Sequence, residues 1–289
     1  MQFTSNNLTF VIVTFNSRKV IFDCLNSLPK EFHKLIIDNS SDKELKKELE
    51  QNYDKIKVIL SENKGMGAGN NLGILRSNTQ YVYVLNPDVV LKKDTLSNIN
   101  TSISSLQNFA ILSPISDNLD YPNYKIDKKK LSETINKDII ANVEDIDGYS
   151  MIINKSFFSN NIFFDEKFFM YLENVDLCLR AKKNDGKLII VKNSKIHHLG
   201  AKAVDDRYSK EVELSRNWHW MWSKFYFNKK HRGIIISIIF GLNSLIGNFA
   251  KYLFCALTLN KKKKIYRMRM SGLLNAIVGK RSWLRPEIN

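Results

Sequence analysis

One aspartate in this sequence of 289 residues has the surroundings of a metal ligand. Asp88 follows the apolar run Tyr81–Leu85 and is preceded by Asn86 and Pro87. A carboxylate in such a place, together with substrate phosphates, can hold Mg2+ or Mn2+. Taken alone, Asp88 is more readily explained as a turn residue, because Asp is frequent in turns.

The adjacent histidines His197 and His198 are a second candidate for binding a metal ion. A neutral imidazole is a good ligand for the borderline ion Mn2+. The alternative is that the pair is structural, which is the more frequent role of histidines that are not part of a larger ligand motif.

Three acidic residues could accept a proton or a hydrogen bond. Glu173 and Asp176 are three residues apart at the start of a predicted helix, so both carboxylates could face one cleft and deprotonate an incoming hydroxyl group. The alternative is that they only complement the helix dipole. Asp38 could accept a hydrogen bond from a nucleobase N–H, or it could cap a turn.

The elements that must position these side chains alternate between strands and helices. Short β-branched runs predict four strands, and apolar residues at helical spacing predict the helices between them. The strands are expected at Leu8–Thr14, 34–37, 57–60 and Tyr81–Leu85, and the helices at 18–28, 43–51 and 72–76. This order favours a doubly wound parallel sheet, which binds ligands at the carboxyl ends of its strands. The glycine-rich stretch 62–71 is predicted to be a loop whose backbone approaches an anion.

The second half of the sequence is predicted to be less regular. The lysine-rich stretch 116–142 is typical of surface loops, and regular structure is expected to resume at 146–149 and 150–153, before an aromatic turn at 163–172. A helix then begins at Glu173 and ends before Gly186, and a strand covers 187–191. Three scattered cysteines without a CxxC pair favour a reducing compartment over a disulfide framework or a zinc site, and nothing at the N-terminus predicts a secretory signal.

The positive charge is concentrated at the carboxyl end. The formal net charge is +15, and residues 207–289 hold 17 basic and 3 acidic residues, a net charge of +14. Residues 1–206 hold the other 27 and 26, a net charge of +1. We therefore predict a nearly neutral domain with a basic, aromatic extension that binds an anionic surface. A nucleic-acid-binding protein is a weaker alternative, because such a protein spreads positive charge along a groove of its folded domain.

Six segments, in this order, resemble the successive motifs of family 2 glycosyltransferases, which have the GT-A fold. They are VIVTFNS at 11–17, IIDNSSD at 36–42, ENKGMGAGNNLGI at 62–74, YVYVLNPDVVL at 81–91, FFDEKFFMYLENVDLCLRAKKNDGK at 163–187 and HHLG at 197–200. The Asn-Pro-Asp sequence is similar to that of the bacterial rhamnosyltransferase-like branch. The resemblance covers about residues 8–202. It implies a Rossmann-like, mostly parallel central sheet flanked by helices, with a nucleotide-sugar half at about 1–115 and an acceptor half at about 143–206.

The resemblance also implies a role for each residue that matches a motif. Asp38 would bond the pyrimidine ring N–H, and Asp88 would hold the Mg2+ or Mn2+ that bridges the diphosphate. His197 would be the second metal ligand, with His198 as the alternative. The metal would neutralise charge on the departing nucleoside diphosphate. The implied nucleotide-sugar-binding residues are Thr14, Phe15, Asn16, Asp38, Asn39, Asn63, Gly65, Gly67, Asn70, Asn86 and Asp88, and the implied acceptor-binding residues are Phe164, Asp165 and Glu166.

One position departs from the family pattern. At the start of the acidic helix the family usually has two adjacent acids, of which the second is the general base, and here that second residue is Asn174. An amide cannot take a proton at neutral pH. Our hypothesis is that Asp176 or Glu173 deprotonates an acceptor sugar hydroxyl, which attacks the anomeric carbon with inversion. A catalytically impaired, nucleotide-binding relative is the alternative.

The implied activity is metal-dependent transfer of L-rhamnose from dTDP-rhamnose, or of a hexose from a UDP-sugar, to a lipid-linked saccharide in bacterial surface polysaccharide synthesis, such as that of O-antigen. The basic extension 207–289 is predicted to be helical. Its uncharged stretch 233–250 is at the lower limit for a membrane span, and Trp beside Lys and Arg is typical of an interfacial helix. We expect a tail that is peripheral on the cytoplasmic face of the cell membrane, with a true span or a soluble helical subdomain or oligomer interface as alternatives.

Overall fold

The computed structural model describes residues 1–104, 106, 108–118, 120, 122–126, 139–158, 162–200 and 209–285. The chain forms two compact units. The first, which we call the sheet unit, comprises Met1–Asp165 and Asn174–Asp205. The second, the helical unit, comprises Glu166–Glu173 and Asp206–Asn289. The segment Glu166–Glu173 therefore belongs to the helical unit, although the sequence placed it in the domain 1–206.

The sheet unit is built on one mixed sheet of nine strands, accompanied by a ribbon of two strands. The strands are β1 (Leu8–Thr14), β2 (His33–Asp38), β3 (Ile56–Leu60), β4 (Tyr81–Leu85), β5 (Val89–Leu91), β6 (Ile111–Ser116), β7 (Tyr124–Lys125), β8 (Ile140–Asn142), β9 (Asp145–Ile146), β10 (Ser150–Asn154) and β11 (Leu188–His198). The main sheet has the order β3-β2-β1-β4-β10-β6-β11-β5, with β8 beside β11, and β7 pairs with β9 in the ribbon. The parallel block β3-β2-β1-β4 is the predicted half of the sheet.

Within the described residues, five α-helices belong to the sheet unit or begin at its boundary. They are α1 (Arg18–Ser27), α2 (Lys43–Asn52), α3 (Met66–Arg76), α4 (Thr95–Ser102) and α5 (Glu173–Lys183). The residues of β1 and β4 are buried throughout, as their continuous apolar runs predict for strands covered on both faces. Helix α1 buries the apolar positions that predicted it, Val20, Ile21, Cys24 and Leu25.

Helix α3 corrects the expectation of a glycine-rich loop at 62–71. It begins at Met66, directly after Gly65, whose φ of 104° is favourable only for glycine. A Cβ at Gly73 would lie 2.3 Å from Cγ1 of Val11, and a Cβ at Gly69 would lie 2.8 Å from Cγ1 of Val13. These two glycines therefore allow α3 to lie directly on β1, so they serve helix packing rather than the approach of a loop to a ligand.

Strand β11 is longer than predicted, because it continues to His198 through a register shift between Val191 and Lys195. Both histidines therefore lie on a strand. The stretch 116–142, expected to form loops, contains β7 and β8, while 127–138 lies outside the described residues.

The helical unit contains the helices α6 (Ser209–Arg232), α7 (Ile234–Leu257) and α8 (Lys263–Ile277). Its core comprises Trp218, Met221, Trp222, Phe225, Leu273 and Ala276. Helices α6 and α8 are in backbone contact, since a Cβ at Gly272 would lie 2.2 Å from the Trp218 carbonyl oxygen. Trp218 and Trp222 are thus core residues, although Trp beside Lys and Arg favoured an interfacial helix; Trp220 and Trp283 are exposed.

The aromatic segment Glu166–Glu173 belongs to the helical unit because its side chains pack there. The Phe168 ring meets the Tyr226 ring edge-on at 4.8 Å between centroids. The Ser223 hydroxyl donates to the carbonyl oxygen of Met170 at 2.7 Å. The Arg285 guanidinium lies 3.7 Å from the ring centroid of Phe169.

Candidate active site

The structure brings Asp88 and His198 together at one edge of the sheet. Asp88 directly precedes β5, and β5 pairs antiparallel with the end of β11, so that Val89 lies opposite His198. Nε2 of His198 is 3.4 Å from Oδ1 of Asp88. The backbone N–H of Leu199 donates to the Asp88 carbonyl oxygen at 3.0 Å, which fixes the two segments against each other.

His197 lies elsewhere, and this corrects the expectation that it accompanies Asp88. Successive side chains of a strand point to opposite faces, so only one of two adjacent histidines can face Asp88. Nδ1 of His197 is instead 3.0 Å from Oδ1 of Asp117, whose other oxygen is 2.9 Å from Nζ of Lys92. Burial alone would raise the pKa of Asp117, but hydrogen bonds from Lys92 and His197 outweigh burial and hold it below its usual range.

Tyr149 and Asp147 complete the surroundings of His198. The rings of Tyr149 and His198 stack at 4.0 Å with an interplanar angle of 17°. Burial raises the pKa of Tyr149, and the neighbouring carboxylates of Asp147, Asp117 and Asp88 raise it further, so the phenol stays protonated. Burial and the nearby Asp145 raise the pKa of Asp147, while the nearby imidazole of His198 acts in the opposite direction.

The Asp88 and His198 pair fits a divalent cation. Oδ1 of Asp88 is buried and has no hydrogen-bond partner among the described residues. Nε2 of His198, at 3.4 Å, does not form a hydrogen bond with this oxygen. A bound ion would explain why a buried acceptor has no hydrogen-bond partner. Within the described ranges, no group of three or more His, Cys, Asp or Glu side chains could hold a metal. Two protein ligands with phosphate oxygens completing the shell are the arrangement usual for Mg2+.

The turn after β2 is organised by Asp38. Its carboxylate accepts hydrogen bonds from the hydroxyls of Thr14 at 2.8 Å and Ser40 at 2.7 Å, and from the backbone N–H of Asp42 at 2.7 Å. Thr14 and Asp38 are both fully buried. Asp38 therefore has the turn-capping role that the sequence also allowed, and its contact with a nucleobase stays a prediction.

Two buried amide oxygens lie unsatisfied beside that turn. Oδ1 of Asn39 and Oδ1 of Asn70 have no partner among the described residues. Asn39 lies against α3, since a Cβ at Gly69 would be 3.4 Å from its Nδ2. Like Asp88, Asn39 follows the carboxyl end of a parallel strand, where such sheets bind ligands, whereas Asn70 lies in α3, next to Gly69.

The other residues assigned to the nucleotide sugar surround the same edge. Phe15 and Asn16 follow β1 and are half-buried, and Asn16 has a positive φ of 52°. Oδ1 of Asn63 accepts from the backbone N–H of Gly65 at 3.2 Å and so shapes the turn before α3, whose first turn includes the buried Gly67. The backbone N–H of Asn86 donates to the Tyr149 carbonyl oxygen at 3.0 Å.

The residues assigned to the acceptor differ in burial and in the unit to which they belong. The side chain of Asn71 bonds both backbone groups of Phe164 at 2.9 Å, which fastens this residue to α3, and the Phe164 ring is buried. Asp165 is half-buried at the end of the first segment of the sheet unit. Glu166 is exposed and belongs to the helical unit.

Helix α5 presents its acids in different environments. Asp176 is fully buried and pairs with Arg180, whose Nε is 2.9 Å from Oδ2. Nδ2 of Asn174 donates to the Ile146 carbonyl oxygen at 3.0 Å, which fixes the start of α5 beside the segment that leads to Tyr149. Glu173 is half-buried, and its Oε2 is enclosed with no partner in the part of the chain that the structure describes. Burial raises the pKa of Glu173 to about 7.

The sequence reasoning did not assign roles to Tyr149, Asp147 or Asp117. A signal for the first two was present, because they lie in the segment 146–149, where structure was expected to resume. The strand that follows, β10, runs antiparallel to β4, with Ser150 opposite Leu85, so the residues before it lie at the same edge as Asp88.

Comparison with known proteins identifies the family of this chain. The sequence model of the Glycosyl transferase family 2 matches residues 9–177, more than half of the chain. The low-salt glycan biosynthesis hexosyltransferase Agl10 of Haloferax volcanii is 28% identical over 198 residues, 62% of this chain and 63% of that protein. The rhamnosyltransferase WbbL of Escherichia coli K12 is 27% identical over 189 residues, 56% of this chain and 70% of that protein. The match with Agl10 thus spans less than two thirds of its length.

Solved structures confirm the predicted fold class. Residues 1–349 of S. aureus TarS superpose with a TM-score of 0.54 at 15% identity, covering 95% of this chain and 92% of that chain. GalNAc-T7, crystallised with UDP, GalNAc and Mn2+, superposes with a TM-score of 0.56 at 16% identity, covering 66% of this chain and 43% of that chain. The fold is thus that of GT-A enzymes, and the matched sequence shows that this chain belongs to glycosyl transferase family 2.

Proposed function

We propose that this chain moves a hexose or L-rhamnose from a nucleoside-diphosphate sugar to a hydroxyl of a lipid-linked saccharide, with inversion at the anomeric carbon. The observation that carries the proposal is the Asp88 and His198 pair, with its unsatisfied oxygen, at the ligand-binding edge of the sheet. The names of the hexosyltransferase and rhamnosyltransferase relatives support the class of sugar. A TarS structure in complex with UDP supports the class of donor.

At the donor end, Asp88 and His198 would hold Mg2+ or Mn2+. The ion would supply electrophilic stabilisation of the leaving nucleoside diphosphate. Tyr149 keeps the His198 ring in place by stacking on it. Asn39 and Asn70 offer acceptors for donor hydroxyl or N–H groups, which would satisfy their buried oxygens.

At the acceptor end, Glu173 would be the general base. In a single displacement the acceptor oxygen bonds to the anomeric carbon, its proton moves to Glu173, and the diphosphate leaves with the electron pair of the broken bond. A base with a pKa near 7 suits this step at neutral pH, whereas Asp176 is fully buried and paired with Arg180. The two residues before Glu173, Tyr171 and Leu172, both have positive φ values of about 70°, and strain of this kind is frequent at functional sites.

The biological setting follows the same resemblance. A lipid-linked acceptor in bacterial surface polysaccharide synthesis fits a chain whose residues 207–289 have a net charge of +14 and include an exposed apolar helix. Anionic membrane surfaces attract such charge. We therefore propose the cytoplasmic face of the cell membrane as the location of the reaction.

The test combines a donor screen with a matched pair of histidine variants. The full chain is incubated with dTDP-rhamnose or UDP-hexoses, saccharide acceptors and Mn2+ or Mg2+, and products are identified by mass spectrometry. In parallel, thermal shift measures Mn2+-dependent binding of UDP and dTDP. We expect His198→Ala to weaken Mn2+-dependent nucleotide binding by about tenfold or more, and His197→Ala to leave it within about twofold of wild type.

Each outcome separates one function from another. Nucleotide binding without turnover on any donor would identify a catalytically impaired relative, in keeping with Asn174. An absence of nucleotide binding would refute the proposed function. Equal losses in the two histidine variants would refute His198 as the metal ligand while leaving the transferase assignment standing.

A further inference from the structure

Helix α7 of the helical unit exposes its apolar side chains and buries small and polar ones, the reverse of a helix on the surface of a soluble protein. Its bulky apolar side chains are exposed: Ile235, Ile236, Ile238, Ile239, Phe240, Leu242, Ile246, Phe249, Leu253, Phe254 and Leu257. Only 11% of its most apolar 18 residues are buried. A core helix of a soluble protein buries such residues, so α7 is not one within the described chain.

The buried side of α7 is composed mainly of small and polar residues. Buried or half-buried positions recur every three or four residues, at Ser237, Gly241, Ser244, Leu245, Asn248, Tyr252, Cys255 and Ala256. Helix α7 packs through them on α6 and α8, and a Cβ at Gly241 would lie 3.3 Å from the ring of Phe225. Small and polar residues at helix contacts with apolar residues outside are the pattern of helices in lipid.

Charge determines how such a helix lies in a bilayer. Helix α7 has 24 residues, about 36 Å of helix, which is long enough to cross the hydrocarbon core. However, basic residues flank both ends, at 229–232 and 261–264. Exposed charges of α6 and α8, such as Lys224 and Arg267, belong to helices packed along α7. A transverse α7 would take these charges into hydrocarbon, which is costly.

We infer that α7 is inserted in the membrane parallel to its surface, with the exposed apolar face among the acyl chains and the α6 and α8 charges at the headgroups. The occupant of this face is thus a lipid bilayer. The apolar arc has one polar residue, Asn243, and Lys251 lies towards its edge, where a long side chain can reach the headgroups. The predicted peripheral tail relies on cations and tryptophans at the membrane surface, and the inferred attachment adds an inserted apolar face.

The test uses the full chain and flotation with vesicles of phosphatidylcholine, with and without phosphatidylglycerol. We expect binding to both compositions and retention in about 1 M NaCl, where the Debye length falls to about 3 Å. Ile246→Lys, in the middle of α7, and Ile235→Lys, in its first turn, should each lower binding to phosphatidylcholine vesicles on the order of 10- to 100-fold. The matched control is Ile162→Lys, because Ile162 is a similarly exposed isoleucine of the sheet unit, 60% exposed against 67% for Ile246.

Three results would overturn the inference. Release of the protein by salt would indicate a peripheral tail. A loss confined to Ile246→Lys would indicate a transverse span, in which a lysine near the helix end is tolerated. A stable oligomer in vesicle-free buffer that Ile246→Lys dissociates would indicate that a second copy covers the face. Circular dichroism checks that all three variants fold, which their exposed positions predict, and the test requires no transferase activity.

Discussion

Glu173→Gln should produce opposite effects on activity and stability. Glutamine keeps the shape of the side chain but neither takes a proton nor ionises. If Glu173 is the base, turnover depends on its ionised form, whereas the folded protein is destabilised by that same form because Oε2 is enclosed without a partner. The substitution therefore separates a catalytic role from a structural one.

The effect on turnover follows from the pKa of Glu173, which burial raises to about 7. About a tenth of the carboxyl groups are ionised at pH 6 and about nine tenths at pH 8. Wild-type turnover should therefore rise about tenfold across this interval. Glu173→Gln should lower turnover by about 100- to 10,000-fold, the usual contribution of a general base, and should flatten the profile.

The effect on stability has the opposite sign. Because the folded pKa of about 7 lies above the reference value of 4.5, the contribution of Glu173 to stability is most favourable below pH 4.5 and is lost as the pH rises to about 7. The full shift corresponds to about 3 kcal/mol, and partial exposure of Glu173 reduces this to about 1–2 kcal/mol. Glu173→Gln should be more stable than wild type by that amount at pH 8 and by nothing near pH 4.

The assay is release of nucleoside diphosphate from the donor that the screen identifies, with denaturant unfolding in parallel. Asp176→Asn is the control, because it leaves the charge of Arg180 without its partner and should destabilise the fold while preserving the pH profile. A Glu173→Gln enzyme with wild-type turnover, or a wild-type profile that is flat from pH 6 to 8, would refute the assignment. Loss of the pH dependence in Asp176→Asn alone would transfer the role to Asp176.

Two further predictions concern stability. Gly73→Ala should destabilise the sheet unit by about 1–3 kcal/mol in denaturant unfolding, because the added Cβ would lie 2.3 Å from Val11. Gly247→Ala should instead stabilise α7 by up to about 1 kcal/mol, because the added Cβ would have nothing within 4 Å. Burial lowers the pKa of His219 from 6.5 to about 4, so stability present above pH 6.5 is lost as the pH falls. In denaturant unfolding followed by tryptophan fluorescence, wild type should lose about 2 kcal/mol relative to His219→Gln between pH 7 and 5.

Strands β1 and β4 of the parallel half of the sheet were predictable because they are buried on both faces. Continuous β-branched runs such as Leu8–Thr14 have one plausible structure, and the observed bounds agree with the sequence. Helix α3 was not predictable in the same way. Glycine has a low helix propensity, and only contact with β1 makes a helix containing Gly69 and Gly73 favourable. Local propensity could not reveal that contact, because it depends on tertiary structure.

Residues of the candidate site could be predicted where a sequence motif contains them. They could not be predicted where strand pairing determines which side chain faces the site. Asp88 was identified from its motif, but the choice between His197 and His198 depends on which face of β11 meets β5. The polar stretch before Lys195 concealed that the strand continues through a register shift. The role of Asn174 as a backbone anchor also needed the structure, because its partner, the Ile146 carbonyl oxygen, is distant in sequence.

The concentration of charge in residues 207–289 has a different meaning once the helices are located. Helix α7 contains one charged residue, Lys251, so the net charge of +14 lies almost wholly outside the apolar helix. A unit with an apolar face and separate cations has two independent sources of membrane affinity, and stable attachment generally needs two such signals. Salt weakens only the electrostatic one. The apolar face would therefore explain retention of the protein on vesicles in high salt, and the cations would explain faster binding to anionic vesicles in low salt. Neither the charge nor the apolar helix alone accounts for both results.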